Sequence, residues 1–124
     1  MAGTPVRLED FFASQEQARR LFETVSSLLE EIGLFEMRVT KSQIAFRRRR
    51  GFAWVWIPAR YLRRSNTAPL VLSLALPFRD PSPRWKQVVE PYPGRFIHHL
   101  EIDGTGEIDD EVKTWLNLAW SSAR

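Results

Sequence analysis

The fold of this chain is decided by residues 42–57, which read SQIAFRRRRGFAWVWI. Apolar and polar side chains alternate up to Phe46, as in a strand that buries one face. Residues 52–57 are apolar at every position, which predicts a central strand covered on both faces. The connection between them, Arg47–Arg50, is too short for a crossover helix. It therefore predicts a hairpin turn between antiparallel strands.

Similar patterns on both sides of this hairpin predict the rest of the fold. Residues 35–40, 70–76 and 96–102 have the alternation or apolar character of strands. Apolar residues recur at spacings of three and four between Ala18 and Ile32 and again between Ile108 and Trp120, which predicts two helices.

Cap signals mark where both helices begin. Ser14 and Gln17 are spaced as a capping box for the first helix, in which each side chain bonds the other residue's amide. Asp109 is the predicted cap of the second helix.

These elements predict a single α+β domain over residues 1–124. It is expected to be a two-layer sandwich, with an antiparallel sheet of about five strands and the N-terminal and C-terminal helices packed on one face. Residues 1–13 are expected to form an extension and a turn. Residues 79–95 contain four prolines and are expected to form a long loop around Trp85.

Composition narrows the class of protein. A chain of 124 residues with 44% apolar and 12% aromatic residues is typical of a globular domain. The absence of cysteine excludes disulfides, thiolate nucleophiles and cysteine-ligated zinc. The longest apolar stretch, residues 69–78, is about half of what a membrane-spanning helix needs. The first residues lack the apolar core of a signal peptide. We therefore expect a soluble, cytoplasmic protein with no membrane partner.

Charge is distributed very unevenly along the chain. Residues 38–95 contain 13 of the 18 lysines and arginines but only two acidic residues, which gives this segment a charge of +11. The two flanking segments carry −4 each. So basic a middle segment is expected to attract an anionic partner such as nucleic acid.

The residues expected to contact that partner come from the hairpin and its surroundings. Arg47, Arg48, Arg49 and Arg50 would grip phosphate oxygens, because a guanidinium can bind them bidentately. Lys41 and Arg63 would flank them, and Trp85 would offer a stacking platform for an unpaired base. The alternative is a solvated hairpin whose charge prevents edge-to-edge aggregation.

Trp54 and Trp56 could also stack on bases, but the sequence favours burial. The two residues point to the same side of their strand, together with Phe52. Large aromatic side chains in an apolar strand usually belong to the core. We therefore expect both indoles to belong to the core. The residues on the other side of this strand are also apolar, so the pattern does not decide which face of the sheet the helices cover.

Candidate catalytic residues are sparse. His98 and His99 are adjacent on a predicted strand, so their side chains point to opposite faces and cannot bind one ion. His98 shares its side with apolar residues of the strand and is expected to be a hydrogen-bonded histidine of the core. His99 shares its face with Glu101 and Asp103, which could hold a cation or form a small-molecule site. The pattern offers no fourth ligand and no nucleophile. The sequence therefore predicts no catalytic residue, metal site or cofactor.

A series of short motifs extends over some 110 residues: Phe12, Leu21-Phe22, Ile32-Gly33, Lys41–Phe46, Phe52-Ala53, Leu74–Pro77, Gly94–His99, Asp110–Leu116 and Ala119-Trp120. In the order and spacing of these motifs the chain resembles the family of small domains catalogued as domain of unknown function 5655. The resemblance implies an α+β domain whose biochemical role is not established.

Three hypotheses about function follow. The first is a non-enzymatic binding domain that holds nucleic acid or another polyanion through the basic hairpin. The second is a protein-interaction or self-assembly module, because acidic helices and a basic sheet are complementary in a homodimer. The third is a small-molecule-binding domain or an enzyme acting near His99.

Overall fold

The structure is a computed structural model that describes residues 4–61 and 67–124. Its helices are α1 (Leu8–Phe11), α2 (Glu16–Ile32) and α3 (Asp110–Ser122). Its strands are β1 (Glu36–Val39), β2 (Ile44–Arg47), β3 (Gly51–Trp56), β4 (Leu70–Leu76), β5 (Gln87–Tyr92) and β6 (Arg95–Ile102). Short 3-10 turns cover Pro58–Arg60 and Thr105–Glu107. Among the described residues, no helix has the length and apolar character needed to cross a membrane.

The strands form one antiparallel sheet in the order β1-β2-β3-β4-β6-β5. Helix α3 packs against β3 and β4, and α2 packs against α3 and β4. The predicted α+β sandwich with both helices on one face is therefore confirmed. The described part of the sheet has six strands where about five were expected.

Register shows which strand residues face the helices. Directly opposed residues of antiparallel strands lie on the same face of the sheet. Two rows of opposed residues are buried beneath α2 and α3: Ile44, Val55, Leu72 and Leu100, and next to them Phe46, Ala53, Leu74 and His98. Phe22 of α2 stacks on Phe46 with ring centroids 6.2 Å apart. We call the opposite side of the sheet the open face.

The additional strand is β5, which lies inside the predicted loop of residues 79–95 and corrects that prediction. Within the described sheet it pairs with β6 alone, so it is an edge strand, where a proline can be accommodated. Pro91 falls at a shift in register between Val89 and Tyr92. Gly94 has a φ of 82° and completes the turn into β6. The prolines suggested a loop because the sequence did not show that this strand lies at the edge.

A β-bulge between β2 and β3 corrects the expected placement of the tryptophans. Phe46 lies opposite Ala53 and Arg47 lies opposite Gly51, so Phe52 is an extra residue in β3. Phe52 is fully buried in the core. Trp54 and Trp56 lie on the open face and are half-buried. The bulge breaks the alternation from which a shared side with Phe52 was predicted.

The two predicted helix caps have different outcomes. Asp109 caps α3 as predicted, because its side chain accepts a hydrogen bond from the Val112 amide at 3.1 Å. The capping box of α2 was wrong: Ser14 has a φ of 62° and lies outside the helix, which begins at Glu16. The side-chain amide of Gln17 instead donates to the Asp103 carbonyl at 2.8 Å, joining α2 to the end of β6.

Trp120, near the end of α3, fixes the connection between α2 and β1. Its indole nitrogen donates to the Leu34 carbonyl at 2.9 Å. Its ring lies so close to Gly33 that a Cβ atom there would overlap it. The backbone of Gly33 is extended, so the need for glycine comes from the ring and not from the φ angle.

We therefore expect Gly33→Ala to lower the free energy of unfolding by about 1–3 kcal/mol, the usual cost of overpacking. Urea denaturation of the purified domain measures the change. Gly104→Ala is the matched control, because Gly104 is also extended and a Cβ atom added there would have no neighbouring atom within 4 Å. Equal unfolding midpoints for the two variants would contradict the assigned role of Trp120.

Candidate functional site

The arginine turn, Arg47–Arg50, is docked on the C-terminal end of α3. Arg48 donates to the Trp120 carbonyl and Arg50 to the Ser122 carbonyl, both at 3.2 Å. The backbone amide of Arg49 donates to the Ala123 carbonyl at 3.0 Å. The last turn of α3 has no basic residue of its own. The turn therefore supplies donors and positive charge where the helix has unpaired carbonyls and the negative end of its dipole.

The four arginines consequently have different roles. The guanidinium of Arg48 lies 3.6 Å from the centre of a Trp120 ring, in cation–π contact. The side chains of Arg47 and Arg49 are exposed, and neither forms an ion pair within the described residues. Glu36 lies opposite Arg47 across the β1–β2 pair. The turn, which the helix holds in place, thus carries three exposed cations, of which Arg50 is bonded to Ser122.

Two further arginines lie at the same end of the sheet. The antiparallel order brings the end of β4 and the start of β6 next to the arginine turn. Arg95 of β6 donates to the Gly51 carbonyl at 3.0 Å. Arg79 follows β4, with its guanidinium 5.8 Å from the Phe96 ring. We define the basic end of the sheet by five residues: Arg47, Arg49, Arg50, Arg79 and Arg95.

The sequence-predicted binding residues are only partly brought together. Lys41 lies in the β1–β2 turn, at the opposite end of β2 from Arg47. Arg63 lies outside the described residues. Sequence reasoning missed Arg79 and Arg95, because their position depends on strand order. The turn at Pro93-Gly94 immediately before Arg95 was the available signal for that hairpin.

Trp85 is not an exposed aromatic, which corrects the expectation of a stacking platform. Only 8% of its surface is exposed. Its ring centroid lies 4.1 Å from that of Trp115 on α3 and 4.8 Å from that of His98. The indole nitrogen donates to Asp80 at 2.9 Å. The Pro-rich segment around Trp85 packs against both α3 and the sheet, because these apolar rings and the paired polar atoms are buried together.

Arg84 fastens the same segment to the start of α3. Its guanidinium pairs with Asp109 at 3.1 Å and with Glu111 at 2.8 Å. It also donates to the Glu107 carbonyl at 2.8 Å. Hydrogen bonding to Glu111, aided by Asp109, raises the pKa of Arg84 despite some burial. This arginine belongs to the basic middle of the sequence but is neutralised by acidic residues of α3.

His98 is a buried, neutral histidine, as predicted. Its Nε2 accepts a hydrogen bond from the Asp80 amide at 2.9 Å, so the proton lies on Nδ1, which donates to the Phe96 carbonyl at 3.1 Å. Burial lowers the pKa of His98, although the Asp80 carboxylate acts in the other direction. Burial alone would raise the pKa of Asp80, but hydrogen bonds from Trp85 and Ser82 lower it.

The open face carries a second polar cluster, around His99. Ser73 accepts a hydrogen bond from the Trp56 indole at 3.1 Å and contacts His99 Nδ1 at 2.6 Å. A groove of about 360 Å³ lies beside them. Its lining residues are Trp56, Pro58, Val71, Lys86, Gln87, His99 and Glu101.

The polar side chains of this cluster are only partly brought together. His99 and Glu101 line the groove together, but Asp103 does not. Ser73 is only 3% exposed and already receives the indole N–H, so it is not presented as a nucleophile. In the described parts of the chain, no three histidine or carboxylate side chains are placed to hold a metal ion.

The two kinds of arginine in the turn give a stability prediction. Arg48→Gln should lower the free energy of unfolding by about 1–2 kcal/mol, because it removes the Trp120 contact and the cation at the α3 carbonyls. Arg47→Gln, the matched control on the same turn, should change it by less than about 0.5 kcal/mol. Thermal and urea unfolding measure both. A larger loss of stability for Arg47→Gln than for Arg48→Gln would contradict the assignment of Arg48 as the arginine that stabilises the α3 contact.

The buried histidine gives a pH prediction. The unfolded chain binds the His98 proton near pH 6.5, whereas the folded chain binds it only at lower pH. Stability should therefore be complete above about pH 6.5 and should decline progressively as the pH falls below it. Burial also lowers the pKa of His99, so this histidine should contribute a pH dependence of the same sign. The contribution of Asp80 to the free energy of unfolding should be lost only as the pH falls below its ordinary pKa of about 3.9.

Urea denaturation across this pH range measures the effect. His98→Gln keeps an acceptor for the Asp80 amide but has no titrating group, so its stability should depend much less on pH. His99→Gln tests the share of the second histidine. An acid dependence that His98→Gln leaves unchanged would show that other groups cause it.

Comparison with known proteins identifies a family but no activity. No curated protein and no solved structure matches the chain. A family model does match, over residues 8–123, and its description is Domain of unknown function (DUF5655). The match includes α1 to α3 and every strand described above. The chain therefore belongs to the DUF5655 family.

Proposed function

We propose that this domain is a binding module for a polyanion, with nucleic acid as the best-fitting class, and that the basic end of the sheet is its contact surface. The observation that supports the proposal is the placement of five arginines, from three separate segments of the chain, at that end of the sheet. The carboxylates on the strand segments of the same end are Glu36 and Glu90. Such a surplus of positive charge attracts phosphate groups.

The rigidity of this surface supports the proposal. The backbone of the arginine turn is bonded to the last carbonyls of α3, and the Arg95 side chain is bonded to the Gly51 carbonyl. Cations on a fixed backbone lose less conformational entropy when they bind a ligand. A guanidinium can also grip two oxygens of one phosphate.

Aromatic side chains next to the basic end favour nucleic acid over other polyanions. The Arg95 guanidinium lies 5.8 Å from the Trp54 ring and 6.0 Å from the Tyr92 ring. Tyr92 is 53% exposed and Trp54 is half-buried on the open face. Rings beside arginines are the combination with which many proteins bind bases and phosphates together.

The proposed role is binding without catalysis. Two polar side chains are buried in the sheet, those of Ser73 and His98. Both form hydrogen bonds with neighbours within the fold, so neither is presented to a substrate.

A self-assembly module is the second candidate, supported by exposed apolar residues at the β1 side of the molecule. Leu34 is 90% exposed and Met37, on the edge strand β1, is 40% exposed. A partner protein or a second copy could cover them.

Binding of a fluorescent oligonucleotide, measured by anisotropy at several salt concentrations, tests the first proposal. Affinity should fall steeply with salt, by a slope of about 0.7–0.9 for each phosphate contacted. The double variant Arg47→Gln/Arg49→Gln should reduce that slope by about 1.5 and weaken binding about tenfold or more at low salt.

The control is Arg7→Gln/Arg20→Gln, which removes the same charge from exposed positions away from the basic end. It should leave the slope nearly unchanged. If the wild-type protein does not bind even at low salt, or if the two double variants behave alike, the proposed surface is wrong. Sedimentation of the same samples measures the oligomeric state of the protein and so tests self-assembly separately from polyanion binding.

A further inference from the structure

We infer that the groove beside Trp56 is a subsite for one unpaired nucleobase, so that the preferred polyanion is single-stranded. This inference rests on the proposed function and specifies its ligand. The groove lies on the open face of the sheet, as does the Trp54 ring next to Arg95. A strand whose phosphates lie at the basic end could therefore place its bases along β3.

The Trp56 indole is held in a fixed orientation. Its nitrogen donates to Ser73 at 3.1 Å, which anchors one edge of the ring. The rings of Tyr61 and His99 form T-shaped contacts with it, with centroids 6.1 Å and 6.3 Å away. Val71 and Pro58 complete the apolar part of the groove. A ring that is already ordered can stack on a base with little further loss of entropy.

The hydrogen-bonding groups of the groove can be assigned from the Ser73 contacts. Ser73 accepts the indole N–H, so its own hydroxyl hydrogen is available to His99 Nδ1 at 2.6 Å. We assign the Ser73 hydroxyl as the donor in this contact, which puts the His99 proton on Nε2. Burial lowers the pKa of His99, which agrees with a neutral ring.

The groove therefore offers both donors and acceptors beside an aromatic ring. His99 Nε2 and Lys86 donate, Glu101 accepts, and the Gln87 amide does both. The edges of nucleobases present the same mixture of groups. Glu101 would repel a phosphate or carboxylate placed in the groove, and an aliphatic ligand would leave these polar groups without partners.

Strand geometry favours a single strand over a duplex. Trp54 and Trp56 are two residues apart on one side of β3, which separates them by about 7 Å. A base can stack on an indole only when one of its own faces is free. A base held by either ring must therefore be unstacked from its neighbour and accessible, which a duplex does not allow without disruption.

A comparison of three ligands of equal length tests the inference: a base-bearing single strand, an abasic strand with the same phosphates, and a duplex. We expect the wild-type protein to bind the base-bearing strand at least about fivefold more tightly than the abasic strand, as stacking of one base would give. Trp56→Leu should remove this preference without changing the salt slope. Trp56→Phe, which keeps a ring, should retain much of it.

The outcomes separate this inference from the proposed function. Arg47→Gln/Arg49→Gln should lower the salt slope and leave the base preference intact. Equal binding of base-bearing and abasic strands, or tighter binding of the duplex, would overturn the base subsite and leave the polyanion surface standing. Absence of binding to all three ligands would overturn both.

A second variant, elsewhere in the groove, keeps the inference testable if Trp56→Leu does not fold. Glu101→Gln keeps the size of the side chain but changes an acceptor into a mixed donor and acceptor. It should alter the relative affinities for strands of different base composition by several-fold, while binding of the abasic strand stays the same. An unchanged ranking of the strands would count against base recognition in this groove.

Discussion

The C-terminal end of α3 needs partners for its last carbonyls, and the arginine turn supplies them. A helix ends with unpaired carbonyls and a partial negative charge, and α3 has no basic residue in its last turn to meet either. Arg48, Arg50 and the Arg49 amide reach it from the β2–β3 connection. Trp120 extends the junction to Gly33 and Leu34. One contact region therefore orients the helix, the turn and the entry into β1, and the basic end of the sheet depends on it.

The bulge at Phe52 has an equally wide effect, because it decides what each face of the sheet presents. Without the extra residue, Phe52 would share a side with Trp54 and Trp56, and the sheet could not both fill its core and keep the indoles at the open face. With it, Phe52 joins the core under the helices, and Trp54 and Trp56 lie half-buried on the other side. The candidate base subsite exists because of this local change in register.

The segment between β4 and β5 illustrates that aromatic and basic residues in a loop need not form a binding surface. Trp85 and Asp80 are tied to His98 and Trp115 beneath the helix layer. Arg84 is paired with Asp109 and Glu111. Arginines next to half-buried rings are instead found where β3 and β6 begin, as Arg95 is next to Trp54. Which cations remain exposed is set by the acidic and carbonyl groups that the fold brings to them.

Local patterns of side chains were sufficient to predict the α+β class, α2 and α3, the antiparallel hairpin at the arginine turn, the Asp109 cap and the buried His98. These features depend on periodicity and on neighbours within a few residues, which the order of amino acids records directly. Long-range packing settled the rest: β5 is an edge strand, Trp54 and Trp56 face away from the helices, Trp85 is buried, and Arg95 rather than Lys41 lies beside the arginine turn. Strand order, bulges and helix docking bring together residues that are distant along the chain, and no local pattern specifies those contacts.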